Sequence, residues 1–294
     1  MDSFVSIIIP VYRDWERLAL CVEALTNQTY AKENFEVLIV NNDPEDAMPQ
    51  NFCLPENFQM ITEPKPGSYA ARNTGLRQAK GAVIGFTDSD CIPETNWIKN
   101  ALDYLNANEW CSRVAGNILV FSNSKKPTLV ELYNNVYSFP QRWHVEKIGT
   151  SVTANLFTYK YVFDKVGYFD EALMSMGDSR WAKLAGAAGY KLAYVENVVV
   201  RHPARNFRQL AKKERRLGGA EGTFRKKSPS RLRNIYAYLH NLRPRKREIE
   251  FLKFQGEGLP KIDKVLLYAL RYYFLIIRGY ERLRVQLGKK PNRA

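Results

Sequence analysis

The sequence is poor in the residues that build disulfide-stapled or zinc-bound folds. It has three histidines and four cysteines, and none of the cysteines (Cys21, Cys53, Cys91 and Cys111) forms a C-x-x-C pair. This usage argues against a zinc site, provides no disulfide framework and predicts a reducing, cytosolic setting. The first apolar segment follows neither a basic region nor a small-residue cleavage site, so we expect no signal peptide. No run of 18 uncharged apolar residues occurs, so we expect no conventional membrane span.

The charge of the chain is unevenly distributed. The 294 residues are 45% hydrophobic and 25% charged, which excludes wholesale disorder and allows a full core. Residues 1–200 carry 18 basic and 23 acidic side chains, whereas residues 201–294 carry 26 basic and seven acidic ones, a net charge of +19. We therefore expect the C-terminal third to face an anionic partner, namely membrane lipid, nucleic acid or an acidic glycan.

Short β-branched runs that predict buried strands alternate with amphipathic segments that predict helices. The predicted strands cover residues 5–9, 35–40, 59–62 and 82–87, and the predicted helices cover 14–26 and 68–79. This alternation predicts an α/β fold with a parallel sheet. Beyond residue 110 the pattern is mixed, with predicted strands at 113–121, 150–159 and 191–200 and a predicted helix at 178–188.

Polar side chains follow the predicted strands at their carboxyl ends, the edge at which open parallel sheets bind ligands. They are Tyr12, Asn42-Asp43 and Asp88-Ser89-Asp90. Two carboxylates one residue apart at such an edge predict a site for Mg²⁺ or Mn²⁺ carrying a diphosphate. The alternative is that Asp88 or Asp90 caps a helix starting near Glu94.

Four ordered motifs resemble the signature of family 2 glycosyltransferases. They are Ile7-Ile8-Ile9-Pro10-Val11-Tyr12, Val40-Asn41-Asn42-Asp43, Gly67-Ser68-Tyr69-Ala70-Ala71-Arg72-Asn73-Thr74-Gly75 and Asp88-Ser89-Asp90. Their order and spacing match across residues 4 to about 100, with further agreement to about residue 203. The resemblance implies a GT-A fold, a mixed and mainly parallel sheet flanked by helices, that uses a nucleotide-sugar donor with Mn²⁺ or Mg²⁺.

The resemblance also implies roles for individual residues. Pro10 and Tyr12 would lie in the loop over the nucleotide, Asp43 would accept from the base or ribose, and Arg72 would lie beside the nucleotide. The implied donor and metal ligands are Asp88, Asp90 and His202. His202 closes a β-rich run, and the alternative is that it has a structural role. Many relatives have Asp-Asp-Gly-Ser where this chain has Asn42-Asp43-Pro44, so Asp43 has the alternative role of a turn-forming residue.

The resemblance further implies a catalytic carboxylate at the start of a later helix, and Asp178 is the residue that matches. A helix N-terminus stabilises an ionised carboxylate, which can accept the proton of the acceptor hydroxyl. Relatives often have Glu-Asp here, whereas this chain has Gly177-Asp178. The alternative is a plain N-cap. Asp170 and Glu171 are interpreted as turn residues, and the implied single displacement inverts the anomeric centre.

The chain is divided by prediction into a catalytic domain, residues 1–205, and a basic helical extension, residues 206–294. The nucleotide-binding half would cover 1–110 and the acceptor half 111–205. In the extension, four basic residues share one face of an apolar helix: Lys264, Arg271, Arg278 and Arg282. This pattern predicts peripheral attachment to the inner face of a membrane. The alternative is a helix packed on the catalytic body or on a second subunit, with the arginines at its solvated edge.

More basic residues lie upstream of that helix and would add attraction to an anionic leaflet. They are Lys212, Lys213, Arg215, Arg216, Arg225, Lys226 and Lys227, and a breaker-rich loop is predicted at Lys227-Ser228-Pro229.

The sequence as a whole predicts a hexosyltransferase that modifies a glycan or lipid-linked acceptor in polysaccharide or glycolipid biosynthesis. Processive relatives carry a Q/R-x-x-R-W motif, which the spacing of Gln141-Arg142-Trp143 does not match, so single additions are favoured. A nucleic-acid-binding protein is one alternative, because the basic third suits phosphate contacts. A nucleotidyltransferase is another, although the loop after the first strand has no glycine. Neither the donor sugar nor the oligomeric state is predicted.

Overall fold

The protein is described by a computed structural model over residues 3–122, 126–224, 230–241, 243 and 246–290. The chain divides into two compact units. The first, here the sheet unit, comprises Met1–Phe121, Gln141–Leu173 and Gly177–Pro203. The second, here the helical unit, comprises Ser122–Pro140, Met174–Met176 and Ala204–Ala294.

The sheet unit is built on one eight-stranded sheet with the strand order β3-β2-β1-β4-β7-β6-β8-β5. The strands are β1 (Val5–Val11), β2 (Phe35–Asn41), β3 (Phe58–Thr62), β4 (Val83–Thr87), β5 (Ile92–Pro93), β6 (Cys111–Phe121), β7 (Asn155–Tyr159) and β8 (Lys191–Pro203). Strands β1 to β4 pair in parallel, whereas β7 runs antiparallel to both β4 and β6. This mixed sheet confirms the predicted α/β fold class.

Helices connect these strands and make up most of the second unit. In the sheet unit they are α1 (Trp15–Thr26), α2 (Ser68–Gln78), α3 (Trp97–Ala107), α5 (Gln141–Trp143), α6 (Lys160–Val166) and α7 (Gly177–Ala187). In the helical unit they are α4 (Leu129–Tyr137), α8 (Phe207–Phe224), α9 (Arg231–Asn241), α10 (Lys246–Gln255) and α11 (Lys261–Gln286). Short 3-10 and π-helical turns lie at Lys32–Asn34 and His144–Ile148.

The apolar patterns of the N-terminal half fold as predicted. Every residue of β2 is buried, as expected of a central parallel strand that is covered on both faces. The predicted apolar face of α1 is also the buried one, and it consists of Leu18, Cys21, Val22 and Leu25. The core beneath α2 and α7 includes Ile8, Phe86, Phe163 and Trp181, and the Phe163 and Trp181 rings stack 4.1 Å apart.

The predicted strand at 150–159 is wrong at its N-terminal end, because β7 begins only at Asn155. A side chain replaces the sheet ladder there. The Val152 N–H donates to Gln141 Oε1 at 3.0 Å, and Gln141 Nε2 donates to the carbonyl oxygen of Asn155 at 3.0 Å. Since Gln141 satisfies this backbone, the preceding residues do not need a strand partner.

The helical unit starts two residues before the predicted boundary and also includes residues 122–140 and 174–176, which we had assigned to the acceptor half. Helix α4 belongs to it because Tyr133 and Val136 share a core with Leu267 and Phe274 of α11. Helix α8 approaches α11 closely, since a Cβ on Gly218 would lie 2.3 Å from the carbonyl oxygen of Arg278. Within the described ranges, no helix is both long enough and apolar enough to cross a membrane.

The basic face of α11 was predicted to be lipid-facing or solvated, and the structure shows that both interpretations are wrong for its arginines. Arg271 and Arg278 contact Glu214 of α8 at 3.5 Å and 2.5 Å, and Arg282 contacts Glu221 at 3.2 Å. Although burial alone would raise it, the pKa of the Glu214 carboxyl is held below its ordinary value by the charges of Arg278 and Arg271. The arginines therefore stabilise helix packing as buried ion pairs.

Part of the upstream basic cluster is also turned inward. The Lys213 ammonium donates to the carbonyl oxygen of Ser138 at 3.1 Å and lies 4.8 Å from the centre of the Phe139 ring. Burial lowers the pKa of Lys213 to about 7. Lys213 was predicted to add charge at a membrane surface, and this placement contradicts that prediction. Arg225, Lys226 and the predicted loop at 227–229 lie outside the described residues.

Candidate active site

The order of the central strands brings the predicted nucleotide residues to one edge. Strand β1 lies between β2 and β4, and all three run in parallel. Their carboxyl ends therefore meet at the same edge of the sheet. Tyr12 and Asp88 each follow a strand directly, and Asp43 lies two residues after the end of β2. This is the edge at which α/β sheets bind ligands.

Asp43 forms the turn that is the alternative to its predicted nucleotide contact, and it also binds an arginine. Its Oδ1 accepts from the Glu45 N–H at 3.2 Å, which closes a local turn, while its Oδ2 accepts from Arg13 Nε at 2.5 Å. Arg13 adopts a left-handed backbone with φ +50°, and its guanidinium lies 5.5 Å from the centre of the Tyr12 ring. The Tyr12 side chain is 60% exposed, so an aromatic face stands beside a paired carboxylate.

Asn42, the neighbour of Asp43, has a structural role. Its amide nitrogen donates to the carbonyl oxygens of Glu63 and Lys65 at 2.9 Å and 2.7 Å, and its Oδ1 accepts from the Gly67 N–H at 2.7 Å. Gly67 has a φ of +123°, a conformation that favours glycine, and helix α2 begins at the next residue. Asn42 thus ties the end of β2 to the start of α2.

Helix α2 carries Arg72 into contact with the first carboxylate of the D-x-D motif. Arg72 Nη2 lies 2.5 Å from Asp88 Oδ1, and the arginine side chain is buried. The helix-cap alternative for Asp88 and Asp90 is wrong, because the next helix begins at Trp97 and Asn96 occupies its N-cap position. The D-x-D carboxylates are therefore available for roles other than starting a helix.

The second carboxylate of the motif meets His202 at the end of β8. Asp90 Oδ2 lies 3.2 Å from His202 Nε2 and 3.6 Å from Arg17 Nη1. His202 Nδ1 lies 2.7 Å from the carbonyl oxygen of Pro203. A carbonyl oxygen only accepts, so Nδ1 carries a proton, and Nε2 is the ring nitrogen that faces the Asp90 carboxylate.

The carboxylate oxygen of Asp90 and the imidazole nitrogen of His202 are two atoms of the kinds that ligate divalent metals, and they lie 3.2 Å apart. The carboxylate suits Mn²⁺ or Mg²⁺, and imidazole is an acceptable second ligand for Mn²⁺. The structure thus brings together two of the three predicted metal ligands, whereas Asp88 is engaged by Arg72. Among the described residues, no group of three or more histidine, cysteine, aspartate or glutamate side chains surrounds one point.

Asp178, the predicted base, is the second residue of α7. Its Oδ1 accepts from the Tyr69 hydroxyl at 3.2 Å and from the Ser179 N–H at 2.8 Å. Burial raises the pKa of the Asp178 carboxyl above its ordinary value, while the Ser179 N–H and the Arg72 charge oppose that rise. Burial also raises the pKa of Tyr69, which keeps its hydroxyl protonated as a donor.

The Tyr69 ring explains why the residue before Asp178 is a glycine, Gly177. A Cβ added to Gly177 would lie 2.7 Å from Cε2 of Tyr69, closer than carbon atoms approach without displacement. A glutamate at this position, which the resemblance leads one to expect, would require the Tyr69 ring to move. The tyrosine therefore occupies the space that the glycine leaves, and its hydroxyl reaches the neighbouring carboxylate.

The other acidic residues near Asp178 are held in the turn between α6 and α7. Asp170 accepts from the Ala172 N–H at 3.1 Å and from Arg180 at 2.8 Å, and Glu171 contacts Lys65 at 2.6 Å. Asn73 of α2 clamps this turn, since its amide group both donates to and accepts from the backbone of Phe169. These contacts fit the turn roles that we predicted for Asp170 and Glu171.

Sequence reasoning missed Tyr69, Arg13 and Arg17 as site residues. Tyr69 lies within the glycine-to-glycine motif, and the glycine at 177 was the signal that could have identified it, because a lost side chain leaves volume for another. Arg13 lies in the loop between β1 and α1, and Arg17 lies in the first turn of α1. Arg13 meets Asp43, which lies 30 residues further along the chain, so its local sequence contains no signal. Arg17 pairs locally with Asp14 at 2.8 Å, and its contact with Asp90, 73 residues away, has no local signal.

The sheet order and the acidic side chains along its carboxyl edge define an enzyme of the GT-A type. Residues 6–166 match the family model described as Glycosyl transferase family 2. The chain belongs to this family of transferases. Family membership favours the glycosyltransferase prediction over both the nucleic-acid-binding protein and the nucleotidyltransferase.

Two curated relatives match most of the chain. It is 37% identical over 220 residues to glycosyltransferase AglE of Haloferax volcanii, which covers 73% of this chain and 72% of the relative. It is 24% identical over 238 residues to a Methanococcus voltae protein, covering 75% and 73% of the two chains. The latter is named dolichyl N-acetyl-alpha-D-glucosaminyl phosphate 3-beta-D-2,3-diacetamido-2,3-dideoxy-beta-D-glucuronosyltransferase.

Solved structures share the fold at low sequence identity. The mannosyltransferase PcManGT from Pyrobaculum calidifontis, solved with GDP-Man and Mn²⁺, superposes with a TM-score of 0.60 at 16% identity and covers 98% of this chain and 88% of its own. Residues 1–349 of S. aureus TarS, solved with UDP-GlcNAc, superpose with a TM-score of 0.52 at 16% identity, covering 97% and 92%. These likenesses show the GT-A fold.

Proposed function

We propose that this enzyme transfers a hexose from a nucleotide-diphosphate sugar to a hydroxyl of a lipid-linked glycan, one sugar per encounter and with inversion at the anomeric carbon. The donor class is supported by GDP-Man and UDP-GlcNAc in the two structures of the same fold. The acceptor class is supported by the printed name of the Methanococcus voltae relative, whose substrate is a dolichyl-phosphate saccharide.

The observation that carries the proposal is that side chains of one helix, α2, bind both of the carboxylates proposed for the reaction. Tyr69 and Arg72 of α2 are three residues apart and so lie on the same face of the helix. The Tyr69 hydroxyl bonds Asp178, and the Arg72 guanidinium bonds Asp88. Helix α2 thereby sets the spacing between the proposed base and the proposed donor carboxylate.

The donor diphosphate and its divalent cation are assigned to the edge formed by Asp88, Asp90 and His202. Asp90 and His202 would hold the metal, since Asp90 Oδ2 and His202 Nε2 lie 3.2 Å apart. When bound, the metal neutralises charge that develops on the departing nucleoside diphosphate. The nucleoside is assigned to the surface formed by Pro10, Tyr12, Asp43 and Arg13, with the Tyr12 ring available for stacking.

Asp178 is assigned as the base. The acceptor oxygen attacks the anomeric carbon, its proton passes to the Asp178 carboxylate, and the bond from that carbon to the diphosphate oxygen breaks. The attack on the face opposite the leaving group inverts the centre. A carboxylate whose pKa is raised by burial is the better proton acceptor, since the catalytic pKa moves toward the working pH.

A donor screen tests this proposal. GDP- and UDP-sugars are incubated with the enzyme, with Mn²⁺, Mg²⁺ or chelator, and nucleotide release and transfer to a polyprenyl-phosphate saccharide are followed. We expect one donor to be consumed only with a divalent cation. Asp90→Ala should lose donor binding, whereas Asp178→Ala should keep it and lose transfer.

Asp103→Ala supplies the matched control, because Asp103 is an exposed carboxylate of the same unit, paired with Lys99. It should behave as the wild type does. Normal transfer by both the Asp90 and the Asp178 variants would contradict the residue assignments, and consumption of no donor under any condition would contradict the reaction.

A further inference from the structure

Helix α11 has an apolar face that points to solvent. The exposed residues along it are Ile262, Val265, Leu266, Ala269, Tyr273 and Tyr280. At 100° per residue these positions cluster within about 100° of arc, centred opposite Arg271, Arg278 and Arg282. We name these six residues the apolar stripe of α11.

Helix α9, which packs beside α11, also has an exposed apolar face. Leu232, Ile235, Tyr236 and Leu239 of α9 follow the i, i+3, i+4, i+7 spacing of one helix face, and all four are exposed. On the other side of α9, the Tyr238 ring packs against α11, where a Cβ on Gly279 would lie 3.0 Å from Cε2 of the ring. The helical unit thus presents two neighbouring helices with apolar side chains outward.

A surface helix usually turns its charged residues toward water. Helix α11 buries Leu267 and Phe274 in the core as expected, but it also turns its charged face inward. In α11 the guanidinium groups face inward to acids of α8 and α10, namely Glu214, Glu221 and Glu248. The charged face is therefore already engaged, and the exposed apolar residues form the unexplained surface. Exposed apolar stripes of this kind mark a binding surface.

The charge around the stripe indicates what it binds. Arg271, Arg278, Arg282 and Arg284 consume Glu214, Glu221, Glu248 and Glu281 in ion pairs. Among the described residues between 204 and 290, 13 basic side chains are exposed, against two acidic ones, Glu250 and Glu257. The surface of this unit is thus apolar on two helix faces and strongly basic elsewhere, with Arg231 and Arg233 directly flanking the α9 face.

We propose that the apolar stripe of α11, together with the exposed face of α9, rests on the surface of an anionic lipid bilayer. Apolar side chains that enter the boundary between headgroups and acyl chains lose contact with water, while Lys and Arg remain among the anionic headgroups. A second copy of the chain is a poorer occupant, because it would bring together two surfaces that each carry a large excess of positive charge.

The proposal deepens the proposed function, since a lipid-linked acceptor is presented at such a surface. It rests on the proposed function only for the reason why the enzyme would bind lipid. Binding to lipid requires no turnover. A failure of lipid binding with intact donor consumption would therefore overturn this proposal alone, whereas lipid binding without donor consumption would overturn only the proposed reaction.

Co-sedimentation of the full-length chain with vesicles tests the proposal. The vesicles are phosphatidylcholine, with or without about 30 mol% phosphatidylglycerol. We expect wild type to sediment with the anionic vesicles, less at high salt and little with phosphatidylcholine alone. Leu266→Glu and Leu239→Glu should each lower the partition coefficient about tenfold, because a carboxylate replaces an inserted apolar group.

Leu20→Glu is the matched control, because Leu20 of α1 in the sheet unit is 49% exposed and Leu266 is 44% exposed. It should bind as the wild type does, and all three variants should keep wild-type helicity and donor consumption. Equal sedimentation of Leu266→Glu and wild type would overturn the proposal. So would a wild-type dimer in light scattering that Leu266→Glu converts to monomer while vesicle binding is absent.

Discussion

The two units of the chain place their charged groups in opposite ways. In the sheet unit the carboxylates that we propose for the reaction are positioned by one or two contacts each, as Asp178 at the start of α7 is by Tyr69 and Ser179. In the helical unit the charges of α11 are turned inward, where Arg271 and Arg278 share Glu214, and apolar side chains are turned outward.

The difference fits the roles that we propose for the two groups of charges. A carboxylate that binds or moves a proton has to remain accessible, and Asp88, Asp90 and Asp178 all retain some exposure. A guanidinium that joins helices can be buried with its partner, provided that its donors are satisfied. Substitutions in the two units should therefore affect different quantities, catalysis in one and stability in the other.

The largest effect is expected from Asp178→Asn. The substitution keeps the shape of the side chain but removes the proton acceptor, so transfer should fall about a thousandfold while donor binding stays within about twofold. Single-turnover transfer and donor titration separate these two quantities. Retained transfer would exclude Asp178 as the base, and Asp170→Asn should transfer normally because Asp170 is held in the turn by Arg180.

In the helical unit the largest loss of stability is expected from Glu214→Gln. Losing this carboxylate leaves the guanidinium groups of Arg271 and Arg278 buried with a weaker partner, which should cost about 3 kcal/mol of unfolding free energy. Urea unfolding followed by circular dichroism measures it. Donor consumption at low denaturant should remain, and Glu250→Gln, at an exposed position on α10, should have little effect.

The ion pairs of Glu214 also predict that the stability of the protein depends on pH. Because the pKa of Glu214 is lower in the folded state than in the unfolded state, its contribution to stability is present above the unfolded pKa and is lost as the pH falls through the folded pKa. Wild type should therefore lose more stability on acidification than Glu214→Gln does. Parallel losses in the two proteins would contradict the ion pair.

A smaller effect, about tenfold on transfer, is expected from Tyr69→Phe. The Tyr69 hydroxyl stabilises the ionised form of Asp178, so its removal should raise the pKa of that carboxyl further. The base must be ionised to act, and the acid limb of the pH–rate profile should therefore move to higher pH. Tyr161→Phe, at an exposed ring of the same unit, should leave the profile unchanged.

The smallest effect is expected from Arg13→Gln. Arg13 is largely exposed, and exposed ion pairs contribute little, so donor KM should change only about twofold to threefold. The change should shrink at high salt, because salt screens the Arg13–Asp43 pair. A loss of donor binding as large as that from a metal ligand would place Arg13 in direct contact with the diphosphate.

Local sequence patterns predicted the fold well where one element carries its own signal. The apolar face of α1, the buried run of β2 and the helix start after Gly67 all follow from residues close together in the chain. The N-terminal end of β7 did not follow, because a distant side chain, Gln141, satisfies that backbone.

The candidate site divides in the same way. The strand-end acids Asp43, Asp88 and Asp90 were predictable, since parallel topology alone brings strand ends together. Tyr69 and Arg17 were not, because each meets its carboxylate across a long sequence separation. The orientation of α11 was also missed: its arginines face Glu214 and Glu221 of α8, and only the assembled helices show which face is covered.

The central claim is that Asp90 and His202 hold a divalent cation that the donor diphosphate shares. Titration calorimetry of GDP-mannose or UDP-N-acetylglucosamine into the enzyme, with Mn²⁺ and then with excess chelator, tests it most directly. The account predicts binding of one donor with Mn²⁺, loss of that binding with chelator, and the same loss in Asp90→Asn even with Mn²⁺ present. Equal donor affinity in chelator and in Mn²⁺, unchanged by Asp90→Asn, would contradict it.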